Sequence, residues 1–177
     1  VVGIYDPAYS GELMGVPQRG KYDPNAESEA LAIAAIGDNK VRKTAVSKMT
    51  HEFGNAIHTS AVISRFCSYG VGNMILHRAV VQAQSSIGNH VIVNTGAQVD
   101  HDCLIHDFVH LGPGVILCGS VKVGEGAFIG ARAVILPGRT IGAWATIGSG
   151  AVVTRDIPDF AVAVGHPARI VKSNQNA

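Results

Sequence analysis

"LGPGVI LCGSVK VGEGAF IGARAV ILPGRT IGAWAT IGSGAV", residues 111–152, places an aliphatic side chain at every sixth position: Leu111, Leu117, Val123, Ile129, Ile135, Ile141 and Ile147. Extended in both directions, the frame runs without a slip through seventeen hexads, from Ile57 to Pro158. Sixteen begin with Ile, Leu or Val, and Tyr69 is the exception. The fifth place is mostly Ala, Ser, Cys or Val, and Gly recurs in the second and fourth places, as in Gly88, Gly112, Gly114, Gly124, Gly126 and Gly130. An amphipathic helix needs a period of 3.6 and a half-buried strand a period of two. Period six fits neither. It fits a solenoid with one short strand per side, a glycine-bearing turn at each corner and the first-place aliphatics stacked inside.

Composition agrees. The 177 residues are 47% apolar but only 6% aromatic and include 21 glycines, the makeup of small aliphatics and many tight corners rather than a helical bundle. A formal net charge of +1 offers no nucleic-acid footprint and no acidic tail. No run of about eighteen uninterrupted apolar residues is present, so no membrane-spanning helix is expected. No secretory signal is visible either, although the chain opens at Val1 rather than Met and a start further upstream stays open. Cys67, Cys103 and Cys118 are odd in number and lack zinc-ligand spacing, which points to free thiols in a reducing cytoplasm.

The repeat resembles that of the hexapeptide-repeat, left-handed parallel β-helix proteins, and the likeness covers 102 of the 177 residues. It implies three hexads per triangular coil of 18 residues. Coils about 4.8 Å apart, the usual strand spacing, then place residues 18 apart one above another. The expected organisation is an α/β Rossmann-like nucleotide-sugar-binding unit over 1–56, the β-helix over 57–158 and a capping tail over 159–177. In the first unit, "VVGIYDP" reads as a strand ending at Asp6, and "LAIAAIG" (31–37) as a second, wholly apolar strand. A helix follows, N-capped by Asp38 or Asn39 and carrying an apolar stripe of Val41, Ala45 and Met49. Ligands of such units sit at the carboxyl ends of strands, which makes Asp6, Gly37, Asp38 and Asn39 the candidate substrate-binding residues. A small cap that shields the first coil is the alternative reading of the same segment. For the tail it is a plug on the last coil.

The stretch "NTGAQVDHDCLIHDFVHLGPG" (94–114) sets three histidines among aspartates. In the hexad frame His101 is third and His110 sixth, both outward-looking places, whereas His106 is second and reads as a corner residue. Nine residues is half a coil, so His101 and His110 belong to different sides of one triangle. They meet only where a neighbouring chain supplies one of them, which predicts an oligomer, most simply three-fold, with sites between chains.

The segments "AIGDN", "NTGAQVDHD", "FVHLGPG", "LCGSVKVGEGAFIGA" and "VGHPAR" resemble those of a bacterial family of sugar O-/N-acyltransferases. That family includes UDP-4-amino-sugar and perosamine N-acetyltransferases and sialic acid O-acetyltransferase-like proteins. The resemblance implies acetyl-CoA-dependent N-acetylation of a nucleotide-linked 4-amino-4,6-dideoxy sugar, by direct transfer at subunit seams of a homotrimer and without a metal. It assigns His101 as general base and Asp102 as its adjacent acid. Asn94 and His110 become supporting polar residues, and Gly119 supplies an N–H facing the acetyl carbonyl. Gly119 is His101 plus 18, hence one coil above it. Acetyl-CoA is expected along the later coils near Gly119, Ala131, Gly148 and the Gly165, Pro167, Arg169 tail, with Arg169 toward phosphate. Two departures stand out. The family opens with a strand and a glycine-rich, histidine-bearing loop ahead of the segment that begins here at Val1, so the first unit is expected to be incomplete or to bind its nucleotide differently. Pro7 stands where a second acid often follows the residue matching Asp6, which leaves UDP, dTDP and GDP sugars all open.

Three other readings compete. A histidine base serves a hydroxyl equally well, so sugar O-acetylation is the nearest rival. His101 and His106 match a zinc-ligand pair of the γ-class carbonic anhydrases, but the third place, two coils earlier, holds Arg65, which stays protonated and cannot coordinate zinc. A non-catalytic scaffold would have no need of a base beneath a backbone donor. An acyl-cysteine route is disfavoured because Cys67 and Cys103 occupy packed fifth places, leaving Cys118, beside Gly119, as the nearest contender.

Overall fold

The computed structural model describes residues 1–173; residues 174–177 of the expected tail lie outside them. Two-residue strands recur every six residues from Ala56–Ile57 to Val152–Val153. Through the body of the molecule each pairs in parallel with the strand 18 residues on, as Gln98 with Ile116 and Val99 with Leu117. The ladders form faces of eight, six and five strands, the three sides of a left-handed parallel β-helix.

The hexad explains this shape place by place. Every first-place side chain from Ile75 to Val153 is at most 2% exposed, and burying each contributes roughly 1.5–3 kcal/mol. Every fourth-place residue from Gly72 to Gly150 has positive φ, which turns the corner. Second-place glycine has another cause: a Cβ on Gly124 would lie 2.5 Å from the Ala143 nitrogen of the next coil. At the lower end the pattern loses its meaning, because no coil lies beneath. Ile57 is 38% and Tyr69 44% exposed there.

The first 55 residues depart from expectation in three ways. The strands read at 1–6 and 31–37 are reduced to single parallel bridges, Ile4 with Gln18 and Ala32 with Phe53. An antiparallel hairpin, Gly11–Leu13 with Val16–Gln18, was not foreseen. Its signal was Met14–Gly15, both at positive φ in a two-residue loop. The helix Asn39–Val46 forms with Asp38 as N-cap, its carboxylate accepting from the Val41 N–H at 2.8 Å. The apolar stripe is not its docking face, however. Val41 is 54% exposed and Met49 falls beyond the helix end, whereas Asn39 and Arg42 are buried. The reason is the surface it meets: a solenoid corner presents backbone carbonyls, which polar donors satisfy and methyl groups do not. After the last coil, Ala161–Val164 extends the eight-strand face in parallel and Arg169–Ser173 folds back on it antiparallel.

Candidate active site

The corner between the six-strand and five-strand faces carries His101. Asp102, in the fourth place with φ of 59°, turns its carboxylate back so that Oδ2 lies 2.7 Å from His101 Nδ1. A carboxylate only accepts, so Nδ1 bears the proton and Nε2 keeps the free lone pair. Asp100 accepts the His101 backbone N–H at 2.8 Å. The Asp102 hydrogen bond, and then the Asp100 charge, raise the imidazole above its ordinary value of 6.5. Gly119 lies one coil up, and its lack of a side chain is a packing requirement. A Cβ there would fall 2.6 Å from His101 Cε1 and 2.7 Å from Nε2. Among the described residues no acceptor takes the Gly119 N–H. The two residues border an open groove of about 550 Å³ that climbs the corner past Asp100, Cys118, Ser120, Pro137 and Gly138. Of these, Cys118 entered the sequence reading only as a disfavoured nucleophile, and Asp100, Ser120, Pro137 and Gly138 escaped it as site members, although the 18-residue step from Asp102 to Ser120 and from Gly119 to Pro137 was available.

A second polar cluster lies on the eight-strand face. His110 Nδ1 meets the Gly37 carbonyl at 3.1 Å, and its Nε2 meets Asn94 Nδ2 at 3.2 Å. Asn94 Oδ1 is occupied by the Thr95 N–H at 2.8 Å, so the amide's orientation is settled. A carbonyl must receive and an amide NH₂ must donate. His110 is therefore the neutral Nδ1–H tautomer with Nε2 as acceptor. Burial lowers its pKa, and the nearby Arg42 charge acts in the same direction.

The expected site residues thus separate into two groups on one chain. His101, Asp102 and Gly119 share one corner. Asn94 begins the next corner, between the eight- and six-strand faces, where Ala131 and Gly148 follow it on later coils, and a Cβ on Gly148 would meet the tail at Val164 Cγ1, 2.7 Å away. Gly165 has φ of 99°, and Arg169 is exposed with Nη1 donating to the Ala168 carbonyl.

Of the expected substrate-binding residues, Gly37 touches the His110 cluster. Asp38 spends one carboxylate oxygen on the helix cap, and Asp6 spends one on the Ala8 N–H at 2.9 Å. Asn39 is only 8% exposed and donates to the Gly126 and Ala127 carbonyls at 3.0 and 3.1 Å, so it anchors the helix and has nothing left for a ligand. Among the described residues no group of three or more His, Cys, Asp or Glu is arranged to hold a metal ion. Position 65 presents the Arg65 guanidinium 4.7 Å over the Phe66 ring. Among the described residues no helix is long and apolar enough to cross a membrane.

Comparison with known proteins adds the following. The family pattern described as "Bacterial transferase hexapeptide (six repeats)" matches residues 102–136 and 120–155. The chain is similar to perosamine N-acetyltransferase of Caulobacter crescentus, solved as a histidine-substituted mutant with CoA and GDP-perosamine. That match has a TM-score of 0.91 and 40% identity, covering 97% of this chain and 85% of that one. It is likewise similar to the acetyltransferase domain of PglB from Neisseria gonorrhoeae in complex with acetyl coenzyme A, with a TM-score of 0.89 and 34% identity over 96% of this chain and 85% of that one. A third similarity is to dTDP-3-amino-3,6-dideoxy-α-D-galactopyranose 3-N-acetyltransferase of Aneurinibacillus thermoaerophilus. It is 58% identical over 52 residues, 29% of this chain, and the match spans 27% of that curated relative's length.

Proposed function

We propose, because this chain belongs to the bacterial hexapeptide-repeat transferase family, that it transfers an acetyl group from acetyl-CoA to the amino group of a nucleotide-linked 4-amino-4,6-dideoxy sugar. One observation carries the reading: the only basic lone pair of His101, on Nε2, abuts Gly119 in the groove while Asp102 holds the opposite nitrogen protonated. In this mechanism His101 Nε2 takes the proton from the sugar nitrogen as that nitrogen attacks the thioester carbon. The C–S bond breaks, and the thiolate leaves as CoA with a proton returned to sulfur. Asp102 stabilises the imidazolium formed on the way. The Gly119 N–H donates to the carbonyl oxygen as negative charge grows there, a contact whose loss typically costs roughly 2.7–4 kcal/mol. Bound CoA and GDP-perosamine in the Caulobacter relative support the substrate classes. The pantetheine arm follows the groove past Cys118 and Pro137, and Ala131, Gly148 and the Gly165–Arg169 segment serve the remainder of CoA. The three free thiols suit a reducing cytoplasm.

A three-fold assembly completes the site, since only a neighbour's eight-strand face can bring Asn94 and His110 to a His101 corner. Mixing His101→Ala chains with Asn94→Ala chains tests this: each variant is inactive alone, and the mixture recovers activity at about a quarter of its seams. No recovery after verified subunit exchange contradicts the shared site. The substrate reading is tested by supplying acetyl-CoA with UDP-, dTDP- and GDP-linked 4-amino sugars and their 4-hydroxy counterparts, while free thiol is measured. Thiol release with an amino sugar is the expected outcome. Release only with a hydroxyl acceptor, or with none, overturns it.

A further inference from the structure

The mechanism leaves one buried cation without an assignment. Arg42 is wholly buried, and burial pulls its guanidinium down to about 10. Among the described residues no carboxylate bonds to it. Its donors go instead to oxygens of amides: Nε to the His90 carbonyl at 3.0 Å, and Nη1 to the Ile36 carbonyl at 2.7 Å and the Gly37 carbonyl at 3.4 Å. Nη2 goes to Asn39 Oδ1 at 2.9 Å and the Phe108 carbonyl at 2.8 Å. A buried charge of this kind is a poor source of net stability, and the best-attested reason for keeping one is the geometry it specifies. Here that geometry is definite. His90 and Phe108 belong to successive coils at the corner between the five- and eight-strand faces, so Arg42 clamps the 36–37 turn onto two coils at once. The Gly37 carbonyl has one further partner, His110 Nδ1.

We infer that Arg42 is a positioning residue for acetyl transfer: its fork aims the Gly37 carbonyl at His110 Nδ1, which keeps the His110 Nε2 lone pair turned outward to Asn94. The inference rests on the reading that His110 belongs to the transfer site. A lysine cannot replace this fork, because an ammonium is a point donor and does not span four carbonyls on three segments. The neighbouring Lys43 supplies a control. It is exposed, pairs with Glu125 and lies 5.4 Å over the Trp144 ring, so it docks the same helix without touching Gly37.

Imidazole ¹⁵N NMR of the substrate-free chain reads the tautomer directly. Wild-type His110 is expected as neutral Nδ1–H at pH 7.5, Arg42→Lys as a mixture of both tautomers, and Lys43→Ala as wild type. In steady-state assays Arg42→Lys is expected to lower kcat roughly ten-fold with the KM for acetyl-CoA unchanged, a split that a merely structural role would not produce. Three results each overturn the inference: wild-type His110 as Nε2–H or a mixture, an unaltered tautomer in Arg42→Lys, or equal shifts in Arg42→Lys and Lys43→Ala. The wild-type measurement stands even if Arg42→Lys does not fold. Because the spectra need no substrate, an inactive acceptor panel would sink the acetyl-transfer reading without touching the tautomer result, whereas an active enzyme with an Arg42-independent tautomer would sink this inference alone.

Discussion

His101 and His110 stand nine residues apart in successive hexads, and the fold treats them in opposite ways. The His101 side chain is 59% exposed between Asp100 and Asp102, which favour its charged form. His110 is packed against Phe128, with the Gly37 carbonyl and the Asn94 amide on its nitrogens, and burial favours its neutral form. Environments that push two like groups apart divide acid–base labour between them. A base needs a free lone pair and a partner for the proton it gains, which His101 has. A fixed acceptor needs to resist protonation, which His110 does.

The sharpest way to break this contrast is to delete the proposed base. His101→Ala is expected to lower kcat by roughly 10²–10⁴ with KM little changed, and wild-type turnover would remove His101 from the mechanism. Gly119→Ala tests the contact above it. The new methyl overlaps the ring and must displace it, so kcat falls on the order of 100-fold with the fold intact by circular dichroism. An active Gly119→Ala would mean that the imidazole does not work from that position. Asp102→Asn sharpens the contrast through pH. A base is active when unprotonated, and Asp102 raises the pKa of His101, so its loss moves the acid limb of kcat/KM to lower pH while the plateau drops roughly ten-fold. An unmoved limb would dissociate the pair. The smallest effect concerns stability. His90, stacked on Phe108 and edge-on to Phe53 with Nδ1 unpartnered among the described residues, is held neutral by burial, as is His110. Their folded pKa values lie below the unfolded 6.5, so the folded state binds fewer protons, and stability present above about 6.5 is lost as pH falls. His90→Phe, which repeats the Phe108 solution one coil away at the same positive φ, is expected to flatten that decline and raise Tm at pH 5.5. A steeper decline would contradict the assignment.

Much of this was legible without coordinates, and the reasons differ by residue. The core and the His101–Gly119 stack follow from the repeat, because an 18-residue coil converts spacing in the chain into vertical neighbours. Asp102 was legible as an adjacent acid, though not the backward turn that carries it to Nδ1. The N-terminal segment was read less well. Val41, Ala45 and Met49 have helical spacing, yet the docking face is Asn39 and Arg42, since what the helix meets is a row of carbonyls. Asp38 was read both as the N-cap and as a ligand contact, and the structure shows the cap. Asn39, read the same two ways, is buried as an anchor of the helix on the Gly126 and Ala127 carbonyls.

The sequence by itself determined the β-helix, its register and the placement of one imidazole beneath one glycine, because a periodic pattern of apolar burial admits no other frame. Only the tertiary structure decided the tautomer of His110, the use of Arg42 and the anchoring of the helix through Asn39. Those depend on partners 73 residues away for His110 and Gly37 and 66 away for Arg42 and Phe108. Hydrogen bonds between residues so distant leave no trace in local composition or spacing.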